Sequence, residues 1–123
     1  MRTIPGIFIL FLFIAPQLVS AQDRCQAALQ KGSAADLSSQ FAKSVDLLLL
    51  GDESTVTSQQ ATTMLADFFA KSGVKGYKQN HLSNAQNGKS TYSIGDLYTN
   101  NGTYRITIFY DSAKMITEMR IEK

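Results

Sequence analysis

Residues 91–110, TYSIGDLYTNNGTYRITIFY, decide how this chain is read. β-Branched and aromatic residues crowd both halves, and the turn signal NNGT divides them. Asn101-Gly102 is the dipeptide best suited to a two-residue hairpin turn, because both central residues of that turn need positive φ. Centring the turn there sets Thr99 opposite Tyr104 and Leu97 opposite Ile106. The second half then alternates cleanly, with Tyr104, Ile106, Ile108 and Tyr110 on one face. The first half slips, since Tyr92 and Ile94 have the wrong parity to share a face with Leu97. A bulge at Gly95-Asp96 repairs this, and glycine suits such a bulge. Ile94 then meets Ile108 and Tyr92 meets Tyr110, giving one continuous inner face that bends at the bulge.

Downstream, a two-residue turn at Ser112-Ala113 pairs Asp111 with Lys114 and adds Met115, Thr117, Met119 and Ile121 to that inner face. The outer face is mostly polar: Thr91, Ser93, Thr103, Arg105, Thr107, Glu118 and Arg120. Phe109 and Ile116 fall there opposite each other, with Tyr98 nearby. These three are the candidate partner surface, on which a homodimer would form.

Upstream, RCQAALQKG places Cys25, Ala28 and Leu29 on one helix face, with Gly32 as the stop. Ser33 opens a second helical segment through the capping-box pattern SAAD, and Leu37 and Phe41 share a face at i, i+4. VDLLLLG reads as a strand buried on much of both faces. TVTSQQATTMLADFFAKSG is the clearest helix. Thr57 and Gln60 make a capping box, Ala61, Met64, Leu65, Phe68 and Phe69 form one apolar stripe, and Gly73 ends it. Residues 77–83 read as a strand and NAQNGK as a turn. The order is helix, helix, strand, long helix and four strands, an α+β domain with a curved, mostly antiparallel sheet.

The first 21 residues stand apart. Arg2 gives a positive start, IPGIFILFLFIA is too short to span a bilayer, and VSA puts small residues before a cleavage point between Ala21 and Gln22. This is the pattern of a secretory signal peptide, so residues 22–123 form the single expected domain, periplasmic or extracellular. Loss of Arg2 lowers the formal charge from +2 to +1. The remaining charges are interspersed, which argues against nucleic acid or an anionic membrane surface as partner. Cys25 is the only cysteine. It does not directly follow the cleavage point, so the chain is not read as a lipoprotein, and no intrachain disulfide is possible. A buried, apolar role suits it.

GSAADLSSQFAKSVDLLLLG, SQQATTMLADFFAKSG, YSIGDLYTNNGTYRITI and ITEMRIEK together resemble a bacterial family of small secreted proteins of unknown function. That family is similar to the nuclear transport factor two-like (cystatin-like) fold. The resemblance implies a curved sheet wrapped on helices as a cone, often with a pocket at its wide end. It implies no activity, because this fold hosts isomerases, dehydratases, transport factors and assembly domains. Steroid-isomerase members carry a general-base carboxylate near the end of the strand after the second helix. The corresponding position here is Leu49, which cannot take a proton, and Asp46 has the opposite parity and faces out.

Chemistry is sparse elsewhere. His81 is the only histidine, too few for an imidazole metal site. No phosphate-binding loop, nucleophile elbow or cofactor motif is present, and no catalytic or metal-ligating residue is assigned. Buried tyrosines want a partner for the hydroxyl, so inner-face Tyr92, Tyr104 and Tyr110, with His81 and Phe69, are the candidate ligand-pocket residues for a small apolar or mixed ligand. The leading expectation is a non-enzymatic domain that binds a small ligand or a protein. The alternative is a small isomerase, dehydratase or hydrolase using His81 with an inner-face tyrosine.

Overall fold

The structure is a computed structural model and describes residues 21–83 and 91–123. The turn expected at NAQNGK lies outside the described residues, as does most of the expected signal peptide. Among the described residues three helices, α1 (Ala21–Lys31), α2 (Ala34–Ser38) and α3 (Ser58–Ser72), accompany six strands. The strands are β1 (Phe41–Leu49), β2 (Asp52–Thr57), β3 (Val74–Ser83), β4 (Thr91–Thr99), β5 (Gly102–Tyr110) and β6 (Ile116–Glu122). They form one sheet in the order β2-β1-β6-β5-β4-β3. Every neighbouring pair is antiparallel except β1 with β6. The helices cover one face: α1 lies on β3, and α3 lies on β1 and β2 with α2 beside it.

The long helix forms as its termini dictate. Thr57 Oγ1 accepts the Gln60 N–H at 3.1 Å, and Gln60 Oε1 accepts the Thr57 N–H at 2.9 Å. This reciprocal cap is worth about 1 kcal/mol. Gly73 closes the helix at φ 70°, its N–H donating to the Phe69 carbonyl. Ala61, Leu65, Phe68 and Phe69 are buried, each of the larger three contributing roughly 1.5–3 kcal/mol of apolar burial. On α1, Cys25, Ala28 and Leu29 are buried as the spacing requires.

Four features differ from the sequence reading. Phe41 does not continue α2; it is the first residue of β1 and is buried. DESTVT forms a further strand, β2, whose exposed, polar pattern carries no apolar alternation. The β4–β5 hairpin turns at Asn100-Asn101, not Asn101-Gly102, so Thr99 opposes Gly102 and Leu97 opposes Tyr104. Positive φ falls on Gly102 alone, at 115°. The pairing runs unbroken from there to Thr91 opposite Tyr110, with no bulge at Gly95-Asp96. The irregularities of the sheet lie elsewhere: on β3 between Val74 and Gly76 and between Gln79 and His81, on β1 between Phe41 and Asp46, and between β5 and β6.

That last shift has a visible cause. Asp111 Oδ1 accepts the N–H groups of Ala113 and Met115 at 2.9 Å, and the Asp111 N–H donates to the Met115 carbonyl. The turn therefore holds three residues, 112–114, with Lys114 at φ 65°. Ile116 lands opposite Tyr110, and one extra residue on β6 then brings Met119 opposite Ile108 and Ile121 opposite Ile106.

Unbroken pairing turns Thr91, Ser93, Gly95, Leu97 and Thr99 inward and Tyr92, Ile94, Asp96 and Tyr98 outward. Gly95 is required by its neighbour. A Cβ there would collide with the Tyr77 hydroxyl and come within 2.7 Å of the Lys78 carbonyl oxygen. Gly95→Ala is therefore expected to destabilise the fold by about 1–3 kcal/mol, read as a lower urea midpoint; an unchanged midpoint would mean that the Tyr77 ring can move away.

Candidate functional site

The inner face is closed by its own side chains. Tyr110 and Phe69 are buried, and Tyr104 is only 6% exposed. Beneath α1 a small polar group is enclosed. The Tyr110 hydroxyl hydrogen-bonds with Cys25 and Ser93, and Tyr77 adds a hydroxyl that has no hydrogen-bond partner. Burial pushes the Cys25 thiol up to about 11, partly offset by the Tyr110 hydrogen bond. Burial raises Tyr77 and Tyr110 above the usual phenol range, and the nearby Cys25 adds to both. A high thiol pKa means almost no thiolate at neutral pH, so Cys25 is packed as an inert residue.

One inner tyrosine does reach a cleft. Tyr104 and Phe68 meet edge-to-face, ring centroids 5.2 Å apart. With Leu49 and Leu50 they line an opening of about 320 Å³, rimmed by Asp52 and Asn101, between the C-terminal half of α3 and the ends of β1 and β5. Phe68, not Phe69, is the α3 phenylalanine that faces it, beside Asp67, Lys71 and Ser72. Asp46 is exposed and accepts the Thr55 hydroxyl at 2.8 Å.

The outer face holds the remaining aromatic cluster. The Tyr92 ring sits between His81 and Phe109, at 5.6 and 5.7 Å. His81 is exposed and pairs with outward-facing Ile94 on β4. Tyr98 lies on the same face, 39% exposed. Three sequence expectations are corrected here. Tyr92 is an outer residue, because the hairpin has no bulge. His81 stands across the sheet from Tyr104 and Tyr110, so the acid–base pairing of His81 with an inner-face tyrosine is not assembled. Ile116 is fully buried opposite Tyr110 and leaves the partner surface, because the Asp111 turn is one residue longer than expected.

Among the described residues no three of His, Cys, Asp and Glu gather as a metal-binding group, and no helix is long and apolar enough to cross a membrane. The family model described as "Domain of unknown function (DUF4783)" matches residues 22–122. The chain belongs to the DUF4783 family. A crystal structure of a DUF4783 protein from Bacteroides ovatus is 31% identical with TM-score 0.76, over 81% of this chain and 92% of that one. An NTF2-like protein of unknown function from Cytophaga hutchinsonii is 12% identical with TM-score 0.60, over 87% and 92%. A steroid delta-isomerase from Pseudomonas aeruginosa is 7% identical with TM-score 0.62, over 83% and 75%. The last two likenesses show the fold, the cone that the sequence resemblance implied. No curated protein matches the chain.

Reasoning from the DUF4783 sequence missed Phe68, Leu50 and Asp52 as cleft residues. Phe68 was legible only as core, and the other two lie in and just after a β1–β2 turn hidden by the polar composition of β2.

The two buried tyrosines should respond oppositely to loss of their hydroxyls. Tyr110→Phe strips partners from Cys25 and Ser93 and is expected to cost about 1–2 kcal/mol, whereas Tyr77→Phe removes an unpartnered hydroxyl and should leave stability unchanged or raised. Chemical denaturation of both variants checks this, and equal losses would show that Tyr77 has a partner. Alkaline pH offers a second test. Between 9.0, the thiol's ordinary value, and about 11, the unfolded chain sheds a proton that the folded chain keeps. Stability must therefore fall as pH rises through that window, the raised tyrosines extending the fall. A urea midpoint that is the same at pH 8 and pH 10.5 would contradict it.

Proposed function

We propose that this DUF4783 chain is an exported, non-catalytic binding domain that pairs with a second copy of itself through the outer face of its sheet. The observation that carries the reading is the row His81, Tyr92 and Phe109, three rings packed side by side across three strands on a face that none of the helices among the described residues covers. Aromatic residues of this kind anchor interfaces, because they bury a large area at low entropic cost. The size of the face fits. Six strands at about 4.8 Å spacing and about 25–30 Å long present on the order of 700–800 Å², and a stable dimer buries about 800 Å² per partner. Its charges also suit a second copy. Arg105 and Arg120 lie among Asp46, Asp96, Glu118 and Glu122, so two identical faces can meet with opposite charges in register.

Export is supported by the apolar run and small residues ahead of Gln22, and by a family match that begins at that residue. The non-catalytic reading is supported by Leu49 at the position where related isomerases are expected to carry an acid, and by the separation of His81 from the inner tyrosines. The likeness to the steroid delta-isomerase, at 7% identity, extends to the fold alone.

The test is sedimentation. The chain from residue 22 onward is expected to sediment as a dimer at micromolar concentration, and Phe109→Lys as a folded monomer with an unchanged circular dichroism spectrum. A wild-type monomer, or a dimer indifferent to Phe109→Lys, would overturn the assignment.

A further inference from the structure

The β1–β2 connection is built from an unfavourable residue. Leu49 opposes Asp52, so the turn consists of Leu50 and Gly51 alone. Both take positive φ, 52° and 93°. Asn, Asp or Gly is strongly preferred at the first of these positions, and an L-residue without a short polar side chain is strained there. Leucine also brings apolar surface into the open, since Leu50 is 49% exposed, more than Leu82 or Tyr98. Its N–H donates to the Ile121 carbonyl at 3.0 Å, which fixes the turn against the end of β6. Strain and exposure at one residue call for a reason outside the folded chain's own packing.

Leu50 forms the lip of the cleft of about 320 Å³ floored by Leu49, Phe68 and Tyr104. That volume lies at the lower end of the range used by small ligands, room for one or two rings. The floor is rigid. Phe68 and Tyr104 hold each other edge-to-face, and Lys123, which donates to the Asn101 carbonyl at 2.7 Å, places its ammonium 5.1 Å from the Tyr104 ring. The rim is asymmetric in charge. Asp67 is matched by Lys71 at 3.0 Å, and the Lys123 ammonium, held on the Asn101 carbonyl and the Tyr104 ring, does not line the cleft; Asp52 does line it and has no ion-pair partner among the described residues. An apolar slot with one unmatched carboxylate at its edge selects a ring that carries a hydrogen-bond donor and no negative charge.

We propose that this cleft is a binding site for a small one- or two-ring aromatic molecule bearing an amine, its ring on Leu50, Phe68 and Tyr104 and its N–H groups toward Asp52. The site lies on the opposite side of the sheet from the aromatic row and does not depend on dimerisation. Tryptamine is the probe and indole-3-propionate, with the same ring and the opposite charge, is its control. Titration of the chain from residue 22 onward, followed by amide NMR, should shift Leu50, Gly51, Asp52, Asn101 and Tyr104 with a Kd of about 1 mM or tighter, as small ligands of this size allow. Indole-3-propionate should bind at least fivefold more weakly, and Asp52→Asn should bring the two affinities together.

Leu50→Asn is the decisive variant, because it should raise the melting temperature by relieving the turn while weakening tryptamine at least fivefold. A variant that is more stable and binds equally well would overturn the proposal. So would tryptamine shifts confined to the outer row around Tyr92, or the absence of shifts at the cleft amides at 5 mM probe.

Discussion

The backbone N–H of Asn100 is shared between the carbonyls of Ser72 and Gly73, at 3.0 Å to each. This contact ties the β4–β5 turn to the C-terminus of α3, and much of the architecture follows from it. A helix end leaves carbonyl groups without partners, and they must find donors. Here the donor is the first residue of the hairpin turn, and the Asn101 side chain reaches Lys71 as well. Once Asn100 is fixed there, the turn must be Asn100-Asn101. Thr99 Oγ1 then accepts the Asn101 N–H and donates to the Gly102 carbonyl, which closes the hairpin. Every pairing along β4 and β5 is set by that one choice, because a strand has no freedom to change faces without a bulge.

The register explains which face of the sheet is filled and which is open. With Leu97 opposite Tyr104, β4 turns Ser93 and Gly95 inward, and these are small enough for Tyr77 and Tyr110 to lie across them. The tyrosines then fill the space that a cone of this kind can leave vacant. Tyr92 is sent outward by the same parity and joins His81 and Phe109. Closing the interior and building the outer aromatic row are thus two results of one register, and neither could change without the other.

These relations define what was legible in the sequence. Elements governed by local chemistry were readable: the α3 capping box, its Gly73 stop, the buried face of α1, and the inward placement of Tyr104, Ile106, Ile108 and Tyr110. The turn was misread because Asn-Gly is the best isolated hairpin signal, and the contact that overrode it comes from a helix end nearly 30 residues upstream. The Gly95 bulge was inferred from apolar parity alone, yet the irregularity needed to match the strands lies between β5 and β6, where Asp111 captures two N–H groups. Ile116 was displaced from the outer face by that one extra residue. β2 was invisible because an exposed edge strand of Asp, Glu, Ser and Thr has no apolar period to detect.

The cleft residues were out of reach for a related reason. Phe68 reads as core, and it is core on one edge; Leu50 reads as the end of a buried strand, and it is a strained turn. Their proximity to Tyr104 depends on β2 folding back and on the hairpin docking at α3, both tertiary facts. The result also bears on what a shared cone can and cannot carry. In this chain the end of β1 offers leucines at 47, 48 and 49, and the acid on that strand, Asp46, is turned out to Thr55. The carboxylate left near the cleft is Asp52, one strand later and at the rim. There it stands exposed at the mouth of the opening, beside Leu50. The turn that brings Leu50 and Asp52 to this opening is therefore held at a cost in backbone conformation, with leucine at φ 52° where Asn, Asp or Gly is preferred.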